Sequence, residues 1–261
     1  MKMKKIICII FCVSFVNCFS QKGLVCYGYI EALAVGKAKG PDSNAYMVFN
    51  KEQSYYVTAK DSLENDRNKN EQKIYKNEEG GGSIYNGLKV SPQGDQVAYH
   101  IKKHTMWSNL LYVGQIYVKE VAPEQKWNIE KETKKIGKFS CKKATAFFRG
   151  RNYTAWFTSE IPLPFGPWKL NGLPGLILEA YDTNKNVYWY FKSVEYPSNT
   201  KEKIKYLSIT KKEKFKTYED FIEFKNEQQQ KVKDKSILMK KQFPDIQVEL
   251  PKLNEMFIEN E

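Results

Sequence analysis

Apolar and polar positions alternate over short stretches through most of the chain, which is the mark of half-buried β-strands rather than of helices. Residues 24–35 alternate loosely and are rich in Tyr, Val and Leu, so they read as a first strand. Residues 45–50 and 54–59 set YMVF against YYVT across a short turn and read as a hairpin of bulky, β-favouring side chains. Strand character resumes at 97–101 and 109–121, where Gly114 suggests a bulge or bend. It continues at 127–136, 139–149 and 153–158, with Gly137 turning the first of these and residues 150–152 forming a tight connection. Strands at 176–182 and 187–194 follow a Pro/Gly-rich segment, and 203–209 is a further candidate.

The period changes towards the C-terminus. Thr217 followed by Asp220 has the form of a helix N-cap with an acid in the first turn. Tyr218, Phe221, Ile222 and, less regularly, Phe224 make an apolar patch at helical spacing; residues 227–235 are polar nearly all round, and Pro244 ends the run. Such a helix should project from the body or lie lightly on it. The pattern as a whole predicts a mainly β protein: an antiparallel, strongly curved, half-barrel-like sheet around an aromatic interior, with a C-terminal helix. A β-sandwich is the alternative.

Composition refines this picture. At 261 residues, 41% hydrophobic and 14% aromatic, the chain has the material for one globular domain. Lys2, Lys4 and Lys5 precede an apolar run at 6–16, with the small residues Cys18 and Ser20 ahead of Gln21. That order is a secretory signal over 1–20, so the protein is expected to be exported; lipidation at Cys18 would anchor it to a membrane instead. No later segment is apolar enough to span a bilayer as a helix. The expected organisation is a signal at 1–20, one β-rich domain at 21–210 and a charged helical extension at 211–261. The domain carries a mobile insertion at about 60–96, which is too poor in apolar residues to order itself well.

Removing 1–20 lowers the net charge from +12 to +9, since three lysines and no acid are lost. Outside the cytoplasm the polyanions available to a basic surface are lipid headgroups or polysaccharide, and nucleic acid is not expected as a partner. The same cleavage leaves Cys26 and Cys141, which could pair in an oxidising compartment or remain buried thiols.

Catalytic signals are sparse. His100 and His104 are the only histidines and have no third ligand at metal-binding spacing, so no metal or cofactor is expected. No G-x-S-x-G or H-E-x-x-H pattern occurs, and Gly80–Gly82 lacks the Lys-Ser/Thr pair of a phosphate loop. No catalytic residue is assigned. Arg149 and Arg151 flank Gly150 beside several aromatic residues, Trp156 among them, and could hold an anion or stack on a ring. The alternative is a hairpin tip with a core-facing Trp156.

The densest concentration of shaped backbone is 161–181, IPLPFGPWKLNGLPGLILEAY, with four prolines and three glycines. After Gly172, the sequence Leu173-Pro174-Gly175-Leu176 fits a type II turn, proline fixing the first central φ and glycine giving a positive second. Phe165 and Trp168 would then line a binding mouth or docking loop, or be buried as a plug across the sheet.

The hexapeptide GLPGLI at 172–177, with CKKATAFFRGRNYTAWFTSEIP and GPWKLNGLPG upstream, resembles the GLPGLI family over at least 141–182. The resemblance implies an exported protein of Gram-negative Bacteroidota, in the periplasm or at the outer-membrane periphery, of a family suspected of serving TonB-dependent receptors. It carries over no ligand or catalytic residue. The expected function is non-catalytic: holding an apolar or peptide-like ligand, or docking an outer-membrane TonB-dependent receptor through 161–177. A secreted hydrolase using His100 or His104 beside a nucleophile is one alternative, and a purely structural envelope protein is another.

Overall fold

The computed structural model describes residues 21–31, 42–58, 74–76, 82–84, 94–111, 115–205, 215–242 and 258–259. The expected signal therefore lies outside the described residues, as does the 60–96 insertion apart from a small hairpin and the residues entering the next strand. The main sheet contains β1 (Gly23–Glu31), β2 (Asp42–Phe49) and β3 (Gln53–Val57). The small hairpin is β4 (Ile74–Lys76) with β5 (Gly82–Ile84). The main sheet continues through β6 (Gln96–His100), β7 (Thr105–Leu111), β8 (Gln115–Val121), β9 (Asn128–Ile136) and β10 (Phe139–Phe148). It ends with β11 (Arg151–Thr158), β12 (Leu176–Asp182) and β13 (Val187–Glu195), and one helix, α1 (Tyr218–Gln242), follows.

Eleven strands form one antiparallel sheet in the order β8-β7-β6-β3-β2-β1-β13-β12-β11-β10-β9. Its two edge strands, β8 and β9, are consecutive in the chain and joined only by residues 122–127. Laid flat, eleven strands would hold those edges about 48 Å apart, whereas seven extended residue steps reach only about 25 Å. The sheet must therefore curl, and it does so without closing. The half-barrel expectation holds, and the sandwich alternative does not.

The concave side is filled by residues 159–175. Phe165 packs on Phe49 of β2 and Tyr99 of β6, while Trp168 packs on Phe148 of β10, Tyr153 of β11 and Trp189 of β13. One segment thus touches strands across the whole sheet, as only a plug on the inner face can. The 122–127 crossing is stitched to it: Gln125 donates to the Lys169 carbonyl (2.8 Å) and accepts from the Asn171 amide (3.0 Å), and Trp127 donates to the Asn171 carbonyl (2.7 Å).

Half of the convex face is covered as well. Tyr46, Tyr55, Val57 and Ala98 are buried there beneath Ile204 and Phe215, which belong to the chain returning from β13 to α1. The edge of β8 is capped by that same return, with Lys119 N–H donating to the Lys216 carbonyl (2.9 Å) and Lys216 N–H donating to the Tyr117 carbonyl (2.8 Å) across a short parallel bridge. Edge strand β9 is left open but is studded with lysine and glutamate, which discourages edge-to-edge pairing.

Several sequence expectations shift. Residues 109–121 are two strands, because Leu111 pairs back on Gln115 and the chain reverses between them. Gly114 lies outside the described residues. Thr105–Ser108 are strand, which the histidine-bearing stretch did not signal. Residues 203–205 carry no strand, and the rest of that candidate lies outside the described residues. The helix starts where expected, with Thr217 and Asp220 bonding each other's backbone amides at 3.0 Å. Tyr218 and Phe221 pack on Leu110, Ile116 and Val118, while Val232, Ile237, Leu238 and Met239 farther along are exposed. Among the described residues no helix is long and apolar enough to cross a membrane.

Candidate functional site

The plug owes its shape to proline. Three X-Pro-Y units close three-residue turns, with Leu163 N–H donating to Ile161, Phe165 to Leu163 and Gly175 to Leu173, each at 2.8 Å. Proline already holds φ close to what such γ-turns require. Pro174 thus sits in a γ-turn, not the expected type II turn, and Gly175 is absent from the positive-φ residues. Glycine is needed at 175 because a Cβ there would lie 2.1 Å from the Thr158 carbonyl oxygen. The positive φ belongs instead to Gly172, at 89°.

Two of the sequence-selected residues, Arg149 and Trp168, have left-handed backbones with φ of 48° and 54°. Arg149 and Gly150 (φ 72°) form the two-residue loop between β10 and β11, a type I′ pattern set one residue earlier than expected. At Trp168 the turn closed by Leu170 N–H on Pro167 O swings the indole onto Trp189 (6.2 Å, 14° between planes). Tyr29 stacks on the other face of Trp189 at 5.5 Å, so Trp189 is held between two rings. Trp168 is 6% exposed and Phe165 1%. The plug alternative is therefore the one realised, and neither ring is offered to a partner.

The same turn drives Lys169 inward. Its side chain is fully buried, with Nζ 2.6 Å from Glu120 and 2.5 Å from Glu259. Arg149 pairs with the same two carboxylates and lays its guanidinium 3.3 Å above the Tyr218 ring. Two cations and two anions from β8, the β10–β11 turn, the plug and the C-terminal residues thus neutralise one another out of water. Nearby, Arg151 pairs with Asp182 at 2.9 Å. Asp182 also accepts from the Val187 amide across the β12–β13 turn.

A further acidic group lies where β1 ends and β6 begins. Tyr29 donates to Glu31 at 2.6 Å. Burial, then the Glu31 charge, pushes Asp95 up to about 7. Burial also raises Glu31, against the opposing pull of the Tyr29 bond and Arg151. Tyr153, fully buried among the rings, has a hydroxyl with no hydrogen-bond partner.

Sequence reasoning selected Arg149, Arg151, Trp156, Phe165 and Trp168. Arg149, Arg151 and Trp168 gather around Tyr153 and Phe148, whereas Phe165 serves the opposite side of the interior. Trp156 is buried, 7% exposed, within the main core cluster, and the Lys134 ammonium lies 4.3 Å from its ring centre. The acidic partners Glu31, Asp95, Glu120, Asp182 and Glu259 carry no local signal, being spread over the chain. Neither Cys26 nor Cys141 forms a disulfide. They lie on opposite faces with three strands between their own, so the disulfide alternative is overturned. His100 is buried with an unpartnered Nδ1, His104 is exposed in a turn, and no metal-binding cluster occurs among the described residues.

The outer face of β10–β13 differs from the covered half. Thr145, Thr154, Tyr181 and Tyr188 are partners in register across four strands. Tyr190 follows on β13, lying flat over Gly28, where a Cβ would be 1.9 Å from the ring. Tyr181 and Tyr188 meet edge to face at 5.6 Å, as do Tyr188 and Tyr190, more obliquely, at the same distance. Lys185 sits 5.0 and 5.3 Å from the first two rings and Lys192 5.5 Å from the third. Beside the row is a depression of about 530 Å³ lined by Thr145, Asn152, Thr154, Thr183 and Lys126, with Phe147 exposed at its rim.

The profile of a family described as "Protein of unknown function (Porph_ging)" matches residues 149–179, which run from the β10–β11 turn through the plug into β12. No curated protein shows significant similarity to the chain. Two solved structures of PNGF-II, in different space groups, are similar at 15% and 16% identity, with TM-scores of 0.49 and 0.45. They cover 78% and 76% of this chain, which spans about a third (32% and 31%) of theirs.

Proposed function

We propose that the protein is an exported, non-catalytic binding or accessory protein of the GLPGLI type that works at the cell envelope. Its recognition surface is the open outer face of β10–β13. One observation carries this reading: the outer aromatics on β2 and β3 are covered by the chain's own return segment, while Tyr181, Tyr188 and Tyr190 are left half-exposed with lysine ammoniums over their rings. The interior supports neither an apolar-ligand cavity nor docking through 161–177, because its rings pack on one another and its charges are paired. Export rests on the Lys2, Lys4, Lys5 and 6–16 pattern, and the division into 21–210 and 211–261 is part of the same proposal.

The test is to express the full coding sequence in a Bacteroidota host, as wild type and as Tyr188→Ser/Tyr190→Ser, and to fractionate the cells. Wild type should be recovered starting at Gln21 and retained on the envelope fraction. The variant should be processed equally and released. Unprocessed cytoplasmic protein, or equal retention of both forms, refutes the proposal.

A further inference from the structure

We infer that the outer face of β10–β13 binds an anionic glycan chain; this rests on the outer-face reading above and names its ligand class. The argument begins with charge. Lys126, Lys185 and Lys192 line this face without an acidic partner among the described residues, and Lys192 is tethered only to the Asn44 amide oxygen at 2.5 Å. Lys134 is neutralised by Glu179 at 2.9 Å, so the surface keeps a positive excess. Exposed ammoniums resting over tyrosine rings stay hydrated and can meet an anion.

The neutral groups select among anions. The line Thr145–Thr154–Tyr181–Tyr188 sets two threonine hydroxyls, that of Thr145 also donating to Glu130 at 3.2 Å, beside two tyrosine rings across four strands, about 14 Å. Asn152 and Thr183 add amide and hydroxyl groups in the adjoining depression. Hydroxyl and amide groups can both donate and accept, which suits a polyol whose own hydroxyls do the same. Tyrosines packed on their neighbours offer rigid, amphipathic area with little ordering entropy to lose. A bilayer fits less well, because the outside of a curled sheet meets a plane along a narrow strip and these rings are flush rather than protruding. A protein partner would call for a contiguous apolar centre, and here Phe147 alone among the large apolar side chains is strongly exposed.

The experiment titrates the processed protein with an oligogalacturonate, a neutral maltooligosaccharide, poly-glutamate and phosphatidylglycerol vesicles. Binding of oligogalacturonate that weakens with salt is expected. The Lys185→Gln/Lys192→Gln and Tyr188→Ser variants, checked for an unchanged circular dichroism spectrum, should each bind it about tenfold more weakly. Equal binding of poly-glutamate or of the vesicles overturns the glycan assignment, as does unchanged affinity in folded variants. Tyrosine-dependent envelope retention without oligogalacturonate binding overturns the glycan inference and leaves the outer-face proposal standing. Retention insensitive to the tyrosines overturns both.

Discussion

Replacing Glu259 by glutamine tests whether the C-terminal residues belong to the folded unit. Its carboxylate faces Lys169 Nζ at 2.5 Å and Arg149 Nε at 3.4 Å, and its side chain is 3% exposed. The substitution keeps size and one acceptor oxygen but leaves two buried cations with the single carboxylate of Glu120. Breaking a buried ion pair from one side costs about 3–5 kcal/mol. Here the loss is softened, since Lys169 keeps Glu120 at 2.6 Å and Arg149 keeps the Tyr218 ring at 3.3 Å. About 2–3 kcal/mol is the expected loss, which for a chain of this size lowers Tm by about 4–12 °C. Thermal unfolding followed by circular dichroism measures it, repeated at about 0.5 M salt, where a buried pair is screened little. The double variant Lys169→Gln/Glu259→Gln, which restores charge balance, should lose at least about 1 kcal/mol less than the two single losses added together. A Tm drop under about 2 °C, or one abolished by salt, would show that these charges are solvated and refute the reasoning.

Other predictions follow from the same packing. Gly175→Ala forces a Cβ to 2.1 Å from the Thr158 carbonyl and should cost about 3 kcal/mol or more, whereas a Cβ at Gly172 meets only Trp127 Nε1, at 4.0 Å, so Gly172→Ala should lose about 1–2 kcal/mol to its left-handed φ; urea unfolding of both ranks them, and the reverse order would contradict the geometry. Asp95 has a folded pKa of about 7, above its unfolded value near 4, so the folded state binds the extra proton and stability falls as pH rises from about 4 to 7. Asp95→Asn should therefore become more stable relative to wild type as pH is raised from 5 to 8 in matched denaturation curves, about this window. A pH-independent difference would remove Asp95 as the cause. In protein beginning at Gln21, iodoacetamide should alkylate half-buried Cys26 well before Cys141, whose thiol is fully buried and pushed up by burial to about 11; mass spectrometry of timed samples decides the order.

Features whose causes are local could be read from the residues alone. Alternation marked most strands, the Thr217–Asp220 pair marked the helix start, and the proline-glycine density at 161–175 marked a backbone with an imposed path. These signals are legible because their causes lie within a few residues. Other features depended on residues far apart in the chain. The curl of the sheet follows from β8 and β9 being joined by six residues across eleven strands, a fact of topology. That curl decided that Phe165 and Trp168 face inward and that Cys26 and Cys141 cannot meet. Gly175 shows the division most clearly: sequence required a glycine for a turn angle, while the structure requires it because Thr158, seventeen positions earlier, leaves no room for a Cβ. The charged cluster joining Glu120, Arg149, Lys169 and Glu259 likewise has no local signature. Each of those side chains reads as a surface charge until the fold removes water from all four together, and burial without pairing would cost too much to persist.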